Sequence, residues 1–398
     1  MLAPLLLALL PAPTCVGDIL TLDDDPGAQF NDLATALAAA RSGDTILVAD
    51  GTYGAAPGVD KLTIAGKGIS IISETSVSFV GGPKFEVGLE VRDLPAGERF
   101  TMHGITVRNT EEAISVIDCS GTVWLEALFL RSGSMLPEPL EHARLAVERS
   151  RSVVLLDSNC TPSSGESTEV AVASCLDVLN SRVFVYESDF LSGTSSSATT
   201  RPAVRVRDSQ VVTHQGSIRG GTVVPSQGEP CPQFGGVALE LDGVGASLAA
   251  YGPELAGGLL FPLFGCTGPA GPVLTGTGTL TQTDVPVFRD LSLSRLLTSG
   301  TSSTITARGL PGELVSIAVF QPESGLEVPA ALGSLFAPAS ATPVIVGMIG
   351  SGGSFLQQFT PPQLPAGTTL RFNAQAALVG VDGLRFSRPA HSVLRSSL

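Results

Sequence analysis

The chain is poor in aromatic residues and in charge: Phe, Trp and Tyr make up 5% of it, with one tryptophan, and Asp, Glu, Lys and Arg 15%. Large apolar volume must come from Val, Leu, Ile and Ala, which suits thin, regular β layers better than a bulky helical core. This composition excludes long coiled coils and collagen-like chains. Lysine is confined to Lys61, Lys67 and Lys84, and the formal net charge is -14. Such a chain repels phosphate backbones and anionic lipid, so neither a nucleic-acid role nor a membrane-surface role has electrostatic support. A partner is neutral or cationic. The sequence also lacks a Cys-x-x-Cys pair and a histidine grouping beside its six cysteines, which excludes a typical zinc site.

No apolar run is long enough for a transmembrane segment. The apolar stretch Leu2 to Leu10, interrupted by Pro4, is followed by Pro11 and Pro13 before the first acidic residue, Asp18. It reads as a signal-peptide core over residues 1–17, without the basic residues that usually precede one, and implies a secreted or cell-surface location. Cys15 follows Thr14, a poor match to a lipidation signal. In an oxidising compartment Cys160 and Cys175, which bracket a polar segment, and Cys231 and Cys266, which bracket a Gly-rich one, are expected to form disulfide clamps. Cys119 is then left as a buried free thiol.

The 398 residues exceed what one small core needs, so two domains are expected. Leu33, Leu37 and Ala40 recur at helical spacing, with Asn31 or Asp32 to cap the start and Gly43 to end the helix. Strand-forming segments follow at 44–53, 62–65 and 68–72. Beyond them, to about Gly258, the chain repeats itself without a second helix. Short β-rich segments at 117–124, 147–154, 178–185 and 206–212 return around the small polar anchors Ser120, Ser150, Ser181 and Ser209, with intervals of 30, 31 and 28 residues. A period in this range, with short strands and a turn per unit, is the signature of a parallel β-solenoid. Propeller blades need about 40 residues and aromatic signatures that one Trp cannot supply. Alternation at Ala203-Val-Arg-Val-Arg207 sets one face inward and the other outward.

The opening helix, then Ser42-Gly-Asp-Thr-Ile-Leu-Val-Ala-Asp-Gly-Thr-Tyr53, Leu62-Thr-Ile with Gly66-Lys-Gly, and Ile69-Ser-Ile, resembles the start of right-handed parallel β-helix proteins of the pectin-lyase-like superfamily. The resemblance spans residues 18–258. It implies that the helix caps the open end of the solenoid, which would otherwise expose an unpaired sheet edge. After Cys266, Gly-Pro-rich sequence marks a transition, and strand segments at 303–307, 314–320, 343–347, 355–359 and 368–378 recur at sandwich spacing. This block is similar to the C-terminal β-sandwich tails of secreted proteins of environmental bacteria. The expected organisation is therefore all-β: signal peptide 1–17, right-handed parallel β-helix 18–275, linker 276–300 and a small antiparallel β-sandwich 301–398.

Chemistry is harder to find. The hydrolase branch of the superfamily implies Asn-x-Asp, Asp-Asp, Gly-His-Gly and Arg-x-Lys in successive coils, and these are missing. Val123-Trp-Leu-Glu126 resembles part of a pectate-lyase strand, without the Asp-His or the Arg-x-Pro-x-x-Arg that accompany it. No Gly-x-Ser-x-Gly and no phosphate-cradling loop occurs. The histidines His103, His142, His214 and His391 are far apart in sequence. What remains is a stripe: aligning coils on their anchor serines brings Glu126, Asp157, Glu187 and Gln215 to similar outward positions, with Tyr186 and His214 one step before. Such a ladder suits a sugar or a cation, calcium being the ion considered; an ordinary solvated strand face has the same residues. Asp23 to Asp25 are a calcium site or a surface turn. Arg205 and Arg207 are expected to pair with Glu240 and Asp242. No cofactor is implied. The expected function is a non-catalytic secreted or surface β-helix with a rigid face for glycan or surface-protein binding. A divergent lyase or hydrolase of acidic polysaccharide and an architectural stalk or adhesin are the alternatives.

Overall fold

The structure, a computed structural model, describes residues 16–25, 27–54, 61–80, 87–108, 112–131, 143–161, 174–193, 201–224, 235–259, 262, 268–285, 289–320, 326–327, 334–337, 341 and 343–396. Of the expected signal peptide only Val16 and Gly17 are described, at the start of the strand Val16–Leu22; residues 1–15, Cys231 and Cys266 lie outside the described residues. The fold is all-β with long parallel sheets, and the chain divides into two compact units.

The first unit takes in Leu20–Ala40 and Ile46–Thr283. Its strands stack in three parallel ladders, one coil contributing one strand to each. Eight strands make the first ladder, from Leu62–Ala65 through Leu145–Glu148 to Leu274–Gly276. The second runs through Thr122–Glu126, Ser152–Leu156, Arg182–Tyr186, Gln210–His214, Ser247–Tyr251 and Thr279–Thr283. A third, of short strands, runs through Phe129–Arg131, Asn159–Thr161, Asp189–Leu191, Ser217–Arg219 and Glu254–Ala256. Successive coils are thus held by backbone hydrogen bonds on three sides, as in a β-solenoid.

Alternation decides what fills the interior. Val153, Leu155, Val183, Val185 and Val211 from the second ladder join Leu145, Val147, Val178, Val204 and Val206 from the first in one continuous buried cluster. Each such side chain is worth roughly 1.5–3 kcal/mol of burial. In four consecutive coils the corner after the first-ladder strand is a residue at positive φ followed by a small polar one: Asp118 then Cys119, Arg149 then Ser150, Asn180 then Ser181, Asp208 then Ser209. The small residue closes the corner. The N–H of Cys119 donates to Ser150 Oγ, that of Ser150 to Ser181 Oγ and that of Ser181 to Ser209 Oγ. Cys119, not Ser120, is therefore the anchor of its coil; its thiol donates to the Ile117 carbonyl, as Ser150 Oγ donates to that of Glu148.

The helix forms at Leu33–Ala39, with Asp32 as N-cap accepting from the Thr35 N–H at 2.8 Å. The Thr35 hydroxyl, then its N–H, hold the Asp32 carboxyl below its usual range. Leu33, Ala36 and Leu37 are buried and belong to the same cluster as Ile46, Val48 and Ile64. Lys67, from the Gly-Lys-Gly motif, donates to the last-turn carbonyls of Leu37 and Ala40 at 2.5 and 2.9 Å, a cation where the helix dipole favours one.

Three expectations are corrected here. Cys160 and Cys175 are buried free thiols, not a disulfide: the Cys175 thiol donates to the Cys160 carbonyl at 2.9 Å and to that of Leu191 at 3.1 Å. Arg205 pairs with Glu240 at 3.0 Å as expected, but Arg207, although Asp242 is its register partner, reaches diagonally to Asp177 of the preceding coil at 2.9 Å. Residues 276–300 are not strandless: Thr279–Thr283 extends the second ladder, and Asp290–Leu293 and Leu296–Thr298 are strands of the second unit.

The second unit comprises Asp284–Leu398 with Arg41–Thr45 and the N-terminal residues to Ile19. Leu314–Phe320 pairs antiparallel with Pro343–Met348 on one side and Thr368–Gly380 on the other, and Thr368–Gly380 continues to Gly383–Phe386 and Ala390–Arg395. A smaller sheet joins Asp290–Leu293, Ser303–Arg308 and Ser354–Phe359. Both sheets contribute to one apolar cluster that includes Leu293, Ile305, Ile317, Phe372 and Leu394. Arg289 and Glu313 form a buried ion pair, joined by Asp382. Among the described residues no helix is long and apolar enough to cross a membrane.

Candidate functional site

The sequence-predicted stripe divides into two columns. The second ladder sets Glu126, Leu156, Tyr186, His214 and Tyr251 in register, all on the side of the strand away from the lumen. One residue later the chain turns a corner at Ala127, Asp157, Glu187 and Gln215, each at φ between 46 and 57°. Their N–H groups donate in turn to the carbonyls of Leu156, Tyr186, His214 and Tyr251 in the next coil, which stacks these corners on one another. Asp157, Glu187 and Gln215 therefore share a column as predicted, with Tyr186 and His214 one step before. Glu126 does not: it stands in the Tyr186–His214 column, and Ala127 takes the corner.

The inner column is buried, although it points away from the lumen. Glu126, Tyr186 and His214 are 3%, 1% and 3% exposed. Glu126 accepts from Trp124 Nε1 at 3.3 Å. The His214 ring stacks between Tyr186 and Tyr251 at centroid distances of 4.7 and 4.8 Å, both with interplanar angles of 11°. Its Nε2 is buried without a hydrogen-bond partner, and burial pulls the imidazole down to about 3, so it is neutral across the physiological range. Beside this column Trp124 and Phe184 are also fully buried, with the Arg182 guanidinium 4.8 Å from the Phe184 ring centroid.

The accessible part is the corner column together with the third ladder. Asp157, Glu187 and Gln215 are half-buried. The register aligns Phe129, Asn159, Asp189, Ser217 and Glu254 along the adjoining strands. Ser217 Oγ donates to Asp189 at 2.7 Å, and Arg219 pairs with Glu254 at 2.5 Å. Four carboxylates (Asp157, Glu187, Asp189 and Glu254), two carboxamides (Asn159 and Gln215) and the Ser217 hydroxyl thus follow the solenoid axis, spaced by roughly the 4.8 Å between neighbouring strands. Sequence reasoning missed the third-ladder half of this face and Tyr251, whose coil has no anchoring serine.

A second polar region lies on the outer side of the first ladder. Glu112 is buried, and its carboxyl is raised to about 7, by burial first and then by Glu148, Glu90 and Asp177, with Ser115 opposing. Glu240 is also raised, by burial and by a hydrogen bond with Asp242, against the pull of Arg205. The Asp23, Asp24 and Asp25 carboxylates lie within 4.8 Å of one another, and the Asp25 N–H donates to Asp23 Oδ1, a bond that a surface turn makes.

No protein-family model and no curated protein matches the chain. Solved structures are distantly similar, two of them as follows. The enzymatically active domain of bacteriophage CBA120 tailspike protein 2 aligns at 10% identity over 90% of this chain and 66% of its own, with a TM-score of 0.33. A superoxide reductase (neelaredoxin) from Ignicoccus hospitalis aligns at 6% identity over 28% of this chain and 81% of its own, with a TM-score of 0.18.

Proposed function

We propose that the protein is an extracytoplasmic right-handed parallel β-helix of pectin-lyase-like type, with an N-terminal cap helix and a C-terminal β-sandwich, that binds a neutral or cationic glycan without cleaving it. The observation that carries this reading is the stacked corner column of Asp157, Glu187 and Gln215 beside Asn159, Asp189, Ser217 and Glu254. It is a rigid array of hydrogen-bond acceptors, and its excess of carboxylate disfavours a polyanionic ligand. The burial of Leu33 and Leu37 against the first coils supports the capping role of the helix. The apolar run at the N-terminus supports export.

A glycan array carrying neutral, amino-sugar and uronic-acid polymers tests the proposal. Binding is expected to neutral or amino-sugar chains and to weaken about tenfold or more in Asp157→Asn/Glu187→Gln, as expected when charge-assisted hydrogen bonds are lost. Retention of only the uronic-acid polymers would overturn it.

The alternative, a hydrolase, is favoured by one feature: burial and the neighbouring Glu148, Glu90 and Asp177 raise the Glu112 carboxyl to about 7, the range that a general acid uses. Oligosaccharide release from uronic-acid polymers that is abolished by Glu112→Gln, Glu126→Gln or Glu187→Gln would establish that reading in place of the first.

A further inference from the structure

Among the described residues one aromatic side chain is exposed: Phe129, at 45%, on the outer side of the third ladder. It stands in the column that continues through Asn159 and Asp189, on the acidic face described above. Leu130 enters the lumen, so Phe129 and Arg131 point outward together. In the preceding coil the strand Arg99–Arg108 sets Thr106 beside Phe129 and Val107 beside Leu130, a register that brings Arg108 next to Arg131. Both arginines are exposed, and among the described residues neither has a carboxylate partner, although the chain carries 37 acidic residues against 23 basic ones. Arg219, farther along the same column, is paired with Glu254. Like charges on neighbouring strands repel, and an anion held between them relieves the repulsion. The face therefore changes sign along the axis: it is basic and aromatic at the Phe129 coil and acidic in the coils that follow.

We propose that Phe129, Arg108 and Arg131 form a subsite for one carboxylate-bearing sugar, and that the ligand is a zwitterionic glycan whose amino sugars follow along the acidic part of the face. This rests on the glycan-binding reading above and adds the acidic sugar to it. An exposed ring offers an apolar plate to the C–H face of a pyranose, and a guanidinium offers a carboxylate its planar fork of donors. A sugar of an extended chain is about as long as the spacing between coils, so one seated on Phe129 sets its neighbours at Asn159 and Asp189, where an ammonium meets carboxylate. A chain of uronic acids alone brings carboxylates against Asp157 and Asp189, and a chain of amino sugars alone brings an ammonium against the arginines. Only a chain with both charges matches both ends of the face.

The test is titration calorimetry of the full chain with three oligosaccharides of equal length: glucosamine only, galacturonic acid only, and glucuronic acid alternating with glucosamine. The alternating chain is expected to bind about tenfold more tightly than the glucosamine chain, the gain of a charge-assisted contact. Arg108→Gln/Arg131→Gln, at exposed sites, is expected to erase that advantage while glucosamine binding stays within about twofold of wild type. Phe129→Leu is expected to weaken the alternating chain about fivefold, as loss of a stacking plate does, with an unchanged melting temperature. A glucosamine chain that binds as tightly as the alternating one overturns the subsite and leaves the proposed function standing, and so does an advantage that survives the double arginine substitution. Tightest binding of the galacturonic-acid chain overturns both. If neither the glucosamine nor the alternating chain binds, the subsite is overturned, and the proposed function falls with it when no neutral chain is retained either.

Discussion

Ser181 accepts the backbone N–H of Ser150 on its hydroxyl oxygen at 2.9 Å and gives its own proton to the Leu179 carbonyl at 2.7 Å. One side chain thus satisfies a buried donor in the coil before it and an acceptor in its own. The same exchange recurs at the second corner, where Ser158 Oγ accepts from Leu128 and Ser188 Oγ from Ser158. Replacing Ser181 with alanine leaves the Ser150 N–H without its partner in a place closed to water. Equilibrium unfolding in urea is expected to show a loss of about 1–3 kcal/mol for Ser181→Ala, the penalty of a buried unsatisfied group. A similar loss is expected for Ser188→Ala, and little for Ser120→Ala, since Ser120 is exposed and lies outside the ladder.

That contrast shows where the repeat was legible. A left-handed corner followed by a small hydrogen-bonding residue leaves a recurring Asx-Ser or Arg-Ser pair, so the period and the inward valines could be read directly. Cys119 and Ser120 are both small and adjacent, and only the hydrogen bond to Ser150 distinguishes the anchor. The misplacement of Glu126 has the same origin. Two residues separate Cys119 from its strand at Thr122, one separates Ser150 from Ser152, and none separates Ser181 from Arg182. A stripe aligned on serines therefore slips between coils. Strand alternation sets Trp124, Phe184 and His214 away from the lumen, but it carries no information about whether that face meets water. The Lys67 contacts with the helix end join residues 27 and 30 apart and leave no local pattern.

The helix supplies a test on the scale of the whole protein. Leu33 and Leu37 are 1% and 3% exposed, in the cluster that holds the first-coil residues Ile46, Val48 and Ile64. Leu33→Glu/Leu37→Glu buries two carboxylates there or undocks the helix from the first coil's edge. Size-exclusion chromatography is expected to show aggregation of the double variant. A soluble, monodisperse product with the wild-type melting temperature would mean that the helix protects nothing.

Glu112 makes stability depend on pH in one direction. Its carboxyl is raised from 4.5 in the unfolded chain to about 7 in the folded protein, chiefly by burial. Between these values the folded state holds a proton that the unfolded state has released. The contribution is therefore complete below about pH 4.5 and is lost as pH rises to 7, a decline on the order of 3 kcal/mol. Glu112→Gln keeps the shape and removes the titration. Urea midpoints of the variant are expected to fall less than those of wild type between pH 5 and 8, with the larger advantage at pH 8; parallel curves would contradict a protonated Glu112.

His214 acts in the opposite direction. Its ring lies between Tyr186 and Tyr251, buried, and burial lowers it from 6.5 to about 3. In the window between those values the unfolded chain takes up a proton that the folded protein refuses. Stability from this site is complete above about pH 6.5 and is lost as pH falls towards 3, by an amount on the order of 5 kcal/mol at full extent. His214→Phe retains the aromatic stack, removes the titration and deletes the buried Nε2 that has no partner. The variant is expected to match or exceed wild type at pH 8 and to outlast it clearly at pH 4 in urea titrations followed by tryptophan fluorescence, for which Trp124 on the same ladder is the reporter. Equal acid sensitivity in the two proteins would show that His214 is protonated in the folded state, and that its place between the tyrosines is open to water.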